Sequence, residues 1–103
     1  MNFLDETREA IEKSDHNLED IMFIGSNDGK YRISWNDFID IADFDYDNGY
    51  GCTEIASNLI VYFKDGTYIF RNDYDGSEWW ECAVKKPFNE NDKYYSFNKV
   101  KKR

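Results

Sequence analysis

A chain of 103 residues is the size of one domain, which excludes two independent cores and an active site walled by two lobes. Hydrophobic residues at 41%, with aromatics at 18%, supply enough large side chains for a packed core, so disorder is excluded despite a mean hydropathy of -0.83. With 21 acidic against 13 basic residues the net charge is -8, the wrong sign for a general binder of phosphate backbones or anionic membranes and the right one for a basic partner. Phe3, Leu4, Thr7 and Ile11 recur at helical spacing with Asp5, Glu6, Glu9 and Glu12 off that stripe, which predicts an amphipathic helix over residues 2–14. Beyond polar Ser14-Asp15-His16-Asn17, the apolar run Ile21-Met22-Phe23-Ile24, the turn Asn27-Asp28-Gly29 and then Tyr31-Arg32-Ile33 read as a β-hairpin.

Ser34 with Asp37 three residues later is a capped helix start, and Trp35, Phe38, Ile39 and Ala42 share one face of a second helix over 35–43. Leu59 to Phe63, the turn Lys64-Asp65-Gly66, and Thr67 to Asn72 form a second hairpin rich in β-branched and aromatic residues. A further turn at Asp73-Tyr74-Asp75-Gly76 leads into a strand from Glu78 to Val84, which Pro87 stops, and Tyr94, Tyr95 and Phe97 read as a last edge strand. The order α-ββ-α-βββ predicts an α+β fold, an antiparallel sheet of about five strands with two helices on one face. Charge divides the chain: residues 1–84 carry a net -13 and residues 85–103 a net +5. The expected organisation is therefore an acidic core over 1–84 and a basic C-terminal segment over 85–103, an edge strand plus a flexible tail that folds back on the acidic body.

Met1-Asn2-Phe3-Leu4-Asp5-Glu6 has acids where a signal peptide carries basic residues, and no apolar run approaches the length of a membrane span, so a cytoplasmic protein is expected. There Cys52 and Cys82 stay reduced and serve as small semi-buried hydrophobes; the alternative, a disulfide, would stabilise by roughly 3 kcal/mol. Two distant cysteines and one histidine lack the paired spacing of a zinc site.

The segment from Asp43 to Glu54 places Asp43, Asp45, Asp47 and Glu54 at positions 1, 3, 5 and 12 of a twelve-residue loop, and so resembles an EF-hand calcium loop. Calcium is the one candidate cofactor, held by those four carboxylates. Asn48 stands where the family has glycine, Tyr50 replaces the usual aliphatic, and Ile55 to Phe63 reads as strand in place of an exiting helix. The alternative is an acidic surface loop. Asp37, Asp40, Asp43, Asp45, Asp47 and Glu54 follow one another between Ile33 and Phe63 with no lysine or arginine among them, a row of carboxylates that can imitate a phosphate backbone. Tyr46 and Tyr50, read as exposed, interleave with it and supply flat contact area. Trp79 and Trp80 must point to opposite faces of their strand, one into the core and one half exposed, where it serves as a partner anchor or platform or packs beneath the first helix. We take Trp80 as the partner contact.

Enzyme readings find little support. The one histidine, His16, lies in a polar connection, carboxylates are too many for an acid/base dyad to be chosen, and Gly49-Tyr50-Gly51 lacks the rest of a phosphate loop. The run from Ser34-Trp35-Asn36-Asp37-Phe38 through Asp45-Tyr46-Asp47-Asn48-Gly49-Tyr50-Gly51, then Phe63-Lys64-Asp65-Gly66 and Tyr74-Asp75-Gly76-Ser77-Glu78-Trp79-Trp80-Glu81, resembles small accessory proteins encoded by phages and prophages of low-GC bacteria. That resemblance implies a protein acting in the cytoplasm of an infected cell, in a class that includes anti-CRISPR and other anti-defence inhibitors. The leading expectation is a non-enzymatic inhibitor that fills the basic nucleic-acid groove of a host defence protein with its acidic row. A calcium-binding module, or a small-ligand sponge or immunity-type partner built around Trp80 and Tyr50, are the alternatives.

Overall fold

The computed structural model describes residues 1–47, 49, 54–83, 88, 92–97 and 100. Asn2 opens the first helix by accepting the Asp5 N–H at 3.0 Å, and α1 (Phe3–Lys13) carries Asp5 and Glu6 in its first turn and Lys13 in its last, each matched to the helix dipole. Asp15, in the left-handed region at φ 62°, turns the chain out of the helix. A single helical turn, Leu18–Asp20, then feeds the antiparallel strands β1 (Ile21–Ser26) and β2 (Arg32–Ile33). Ser34 accepts the Asp37 N–H to cap α2 (Trp35–Ala42), as its spacing predicts. Three further antiparallel strands follow, β3 (Leu59–Phe63), β4 (Tyr68–Tyr74) and β5 (Ser77–Ala83). The α-ββ-α-βββ order and the five-stranded antiparallel sheet are those expected from the sequence.

In the sheet the strands lie β2-β1-β3-β4-β5, so β3 is central, and all five of its residues are buried. Its alternation divides the core. Leu59, Val61 and Phe63 face the helices together with Phe3, Leu4, Ile11, Phe38 and Ala42, whereas Ile60 and Tyr62 pack with Phe23 on the opposite face. Phe3 is the hub of the larger cluster, its ring centroid 5.6–5.9 Å from those of Phe38, Phe44, Tyr46 and Trp80. Across the sheet Phe88 stands edge-on to Phe23 and Tyr62. No described helix is long and apolar enough to cross a membrane.

Three expectations change. Among the described residues the C-terminal edge strand is a single parallel bridge, Tyr31 to Tyr95, and within the basic segment Phe97 and Val100 are buried in the main cluster, where Val100 O accepts the Ala56 N–H at 2.6 Å. Buried apolar contacts hold Phe97 and Val100 there. Cys82 is exposed at the sheet edge, not semi-buried, while Cys52 lies outside the described residues. His16, expected in a polar connection, is largely buried there, its ring stacked on Phe63 at 3.8 Å with 12% of the side chain exposed.

His16 also reaches the β3–β4 turn, where its Nε2 lies 2.9 Å from Asp65 Oδ2. The Asp65 carboxylate is held well below the usual carboxylate range, first by the Thr67 hydroxyl, then by the Thr67 N–H and His16. A group whose pKa is depressed by folding contributes stability above its unfolded value, about 3.9, and loses it as pH falls towards the folded value. Asp65→Asn is therefore expected to lower the Tm at about pH 6, with the gap to the parent closing as pH falls below about 4. Melts followed by circular dichroism across that range test it; a gap constant with pH would assign the loss to geometry instead of charge.

Candidate functional site

The acidic row is built on two periodicities. Along α2 the apolar face takes Phe38 and Ala42 inward, so Asp37 and Asp40 stand exposed on the other side. From Asp43 the chain is extended beside the N-terminus, Phe3 N–H donating to Phe44 O and Tyr46 N–H to Met1 O, both at 2.9 Å, around an antiparallel bridge of Asn2 with Asp45. Alternation then turns Asp43, Asp45 and Asp47 to solvent and Phe44 and Tyr46 to the core. Five of the six expected acids are thus gathered on one exposed stretch; Glu54 is half buried. Tyr46, expected at the surface, is 6% exposed, and Tyr50 lies outside the described residues. The period-two pattern Asp43-Phe44-Asp45-Tyr46-Asp47 carried the signal for an inward Tyr46.

Beneath the row lies an ion-pair network absent from the sequence-level expectations. Arg71 of β4, its side chain 2% exposed, donates from Nη1 to Glu6 at 3.3 Å, and from Nη2 to Tyr46 Oη at 2.9 Å and Glu78 at 3.2 Å. Tyr46 donates its hydroxyl to Glu6, and burial together with that carboxylate raises its pKa far above the ordinary phenol value, so the proton stays on Tyr46. Glu78 accepts the backbone N–H groups of Glu54 at 2.6 Å and Ile55 at 3.1 Å. Arg71 therefore ties together two points of the chain, Tyr46 near the end of the aspartate row and, through Glu78, the backbone at Glu54 and Ile55. Phe3 and Trp80, stacked on each other, both approach the guanidinium, with Cζ 5.2 and 5.0 Å from their centroids.

Trp80 serves this packing. It is half buried, stacks on Phe3, and donates Nε1–H to Thr7 of α1 at 3.1 Å, the arrangement beneath the first helix. Trp79 is half buried on the other face, donating to Glu81 at 2.9 Å. Of the four candidate calcium ligands, three carboxylates already meet protein N–H groups: Asp43 takes Asn2 Nδ2, Asp47 takes the Gly49 N–H, and Glu54 takes the Asp47 N–H. Among the described residues no three His, Cys, Asp or Glu side chains gather as a metal site.

Two hollows deserve mention for their chemistry. One of about 580 Å³ lies against β2 and is lined by Met22, Phe23, Arg32, Asp37 and Tyr94; its Arg32 donates to Gly29 O at 2.8 Å and pairs with Asp92 at 3.7 Å. The other, about 270 Å³, runs between α1 and β5. No family model matches this sequence, and comparison with curated proteins and with solved structures gives no significant match.

Proposed function

We propose that this is a non-enzymatic binding protein whose acidic ridge, Asp37, Asp40, Asp43, Asp45 and Asp47, occupies the nucleic-acid groove of a basic host protein. The observation that carries the reading is a run of exposed carboxylates with no basic residue in the same stretch of chain, on a backbone tied down at Phe44 and Tyr46. All five carboxylates are exposed, no lysine or arginine lies between Ile33 and Phe63, and the backbone bonds from Phe3 to Phe44 and from Tyr46 to Met1, with the Arg71–Tyr46 bond, hold the stretch that carries Asp43, Asp45 and Asp47. Preorganised charge speeds encounter and avoids an ordering cost on binding. The resemblance to phage accessory proteins directs the choice of partner to a defence nuclease in the cytoplasm of an infected cell, with the ridge competing against its nucleic acid. Tyr46 and Trp80 act in this scheme as internal supports.

The test uses a bacterium carrying an active RNA-guided nuclease, with the protein expressed before challenge by a targeted phage. Plating efficiency is expected to rise, and the purified protein should block DNA binding by the nuclease less well as salt increases. Asp40→Lys with Asp45→Lys reverses two carboxylates that have no side-chain partner among the described residues, and should slow association by about tenfold or more. A double variant that protects as well as the parent, or a parent that protects against no such nuclease, would refute the mimicry.

A further inference from the structure

The two edges of the sheet are unlike. At one, β2 has two residues and is extended by the Tyr31–Tyr95 bridge. At the other, β5 has seven residues, Ser77 to Ala83, with no proline and no lysine, and its charged residues are Glu78, buried against Arg71, and Glu81. Its exposed backbone can be identified from the turn. Asp75 and Gly76 form a two-residue loop with φ of 53° and 87°, which makes Tyr74 and Ser77 a hydrogen-bonded pair. Hydrogen-bonded and non-bonded pairs alternate from there, so Asn72 with Trp79 and Phe70 with Glu81 bond inward to β4. The N–H and C=O groups of Glu78, Trp80 and Cys82 consequently point away from the sheet. No backbone group of β5 bonds to any described segment besides β4.

The groove of about 270 Å³ beside α1 follows this edge. Trp79, Trp80, Glu81 and Cys82 all line it, and because successive strand residues face opposite ways, a void that touches four in a row lies along the strand's edge. Ala10 and Trp80 form an apolar wall, and Glu9 and Glu81 stand at its rim. Glu6 is also there but is already paired with Arg71, and Lys13 is the one basic side chain of the lining.

We propose that the outer edge of β5, with which no described segment pairs, is a docking site for an extended basic segment of a partner protein, which adds a sixth strand to the sheet. Main-chain bonds to Glu78, Trp80 and Cys82 supply the ladder, apolar side chains of the segment sit against Ala10 and Trp80, and its lysines or arginines reach Glu9 and Glu81. The rim charge and the net charge of -8 select a basic strand, and they oppose pairing of β5 with β5 of a second copy, which would bring two sets of these acids together. This site uses residues apart from the ridge.

The probe is a fluorescein-labelled peptide of about eight residues alternating lysine and valine, followed by anisotropy. Saturable binding is expected, weakened about tenfold or more when alternate peptide nitrogens are methylated, because methylation removes the donors on one edge and leaves the charge unchanged. Cys82→Pro should weaken it similarly, since that N–H points away from β4 and its loss leaves the β4–β5 ladder intact. Circular dichroism checks that the variant folds, and if it does not, the methylated peptide decides alone. Equal binding of the two peptides would reduce the interaction to charge on an acidic surface and overturn the proposal. So would absence of binding up to about 1 mM peptide, or a parent that sediments as a dimer which Cys82→Pro separates.

Discussion

Arg71→Met is expected to destabilise the protein by about 3–5 kcal/mol, a large part of the 5–15 kcal/mol typical of a whole domain. Methionine fills much of the same space beside Phe3 and Trp80, so the loss isolates charge from volume. With the guanidinium gone, Glu6 and Glu78, whose side chains are 12% and 3% exposed, are left buried without their counterion. Glu78 also holds the N–H groups of Glu54 and Ile55, so the damage should spread to the finish of the acidic segment. Urea denaturation gives the free energy, and amide exchange at Ile55 reports the local release. Arg71→Lys, which keeps the charge without the planar fork, should fall between parent and Met variant. A loss under about 1 kcal/mol for Arg71→Met would mean that the network does not hold the segment.

Gly25→Ala is expected to cost roughly 3 kcal/mol or more, although it adds one methyl group to a buried strand. A Cβ built at Gly25 would lie 1.7 Å from Tyr31 O and 2.7 Å from Tyr31 C, both backbone atoms that no rotamer change can move aside. Gly25 is paired with Arg32 on one side and Ile60 on the other, so β1 has nowhere to retreat and β2 must move away. The bond from Ser26 N–H to Tyr31 O, 2.9 Å long, should be the first lost, visible as faster amide exchange at Ser26. An alanine variant with the parent's urea midpoint would show that the approach of the two strands relaxes freely.

Local patterns were the legible part of the fold. The stripe of Phe3, Leu4, Thr7 and Ile11 located α1 to within a residue at each end, and the Lys64-Asp65-Gly66 turn between β-rich runs located the central hairpin. The ridge was legible too, because charge without counterions is visible in one dimension. What could not be read was made by residues far apart along the chain. Arg71 meets Glu6 sixty-five positions away, and nothing in the surroundings of either distinguishes a buried ion pair from two solvated charges. His16 similarly depends on Phe63 and Asp65 for its environment. Phe97 and Val100 were obscured by polar neighbours that break any period, and the count of lysines around them favoured a solvated tail. Tyr46 is a different case: its alternation with Asp45 and Asp47 marks it as inward, while the charge of those neighbours points to the surface.

The strand order has a kinetic consequence. The β1–β2 and β4–β5 hairpins and the β3–β4 pair each close over a few residues, but β1 meets β3 through pairs such as Ile24 with Val61, on opposite sides of the whole α2 region. Loop-closure entropy is therefore concentrated in one seam, while the strands on either side of it can assemble from neighbours. The acidic segment lies in the loop that this seam closes, so its geometry is inherited from a long-range event. A chain with both halves correctly paired internally would still present those aspartates on an open loop until β1 and β3 had joined.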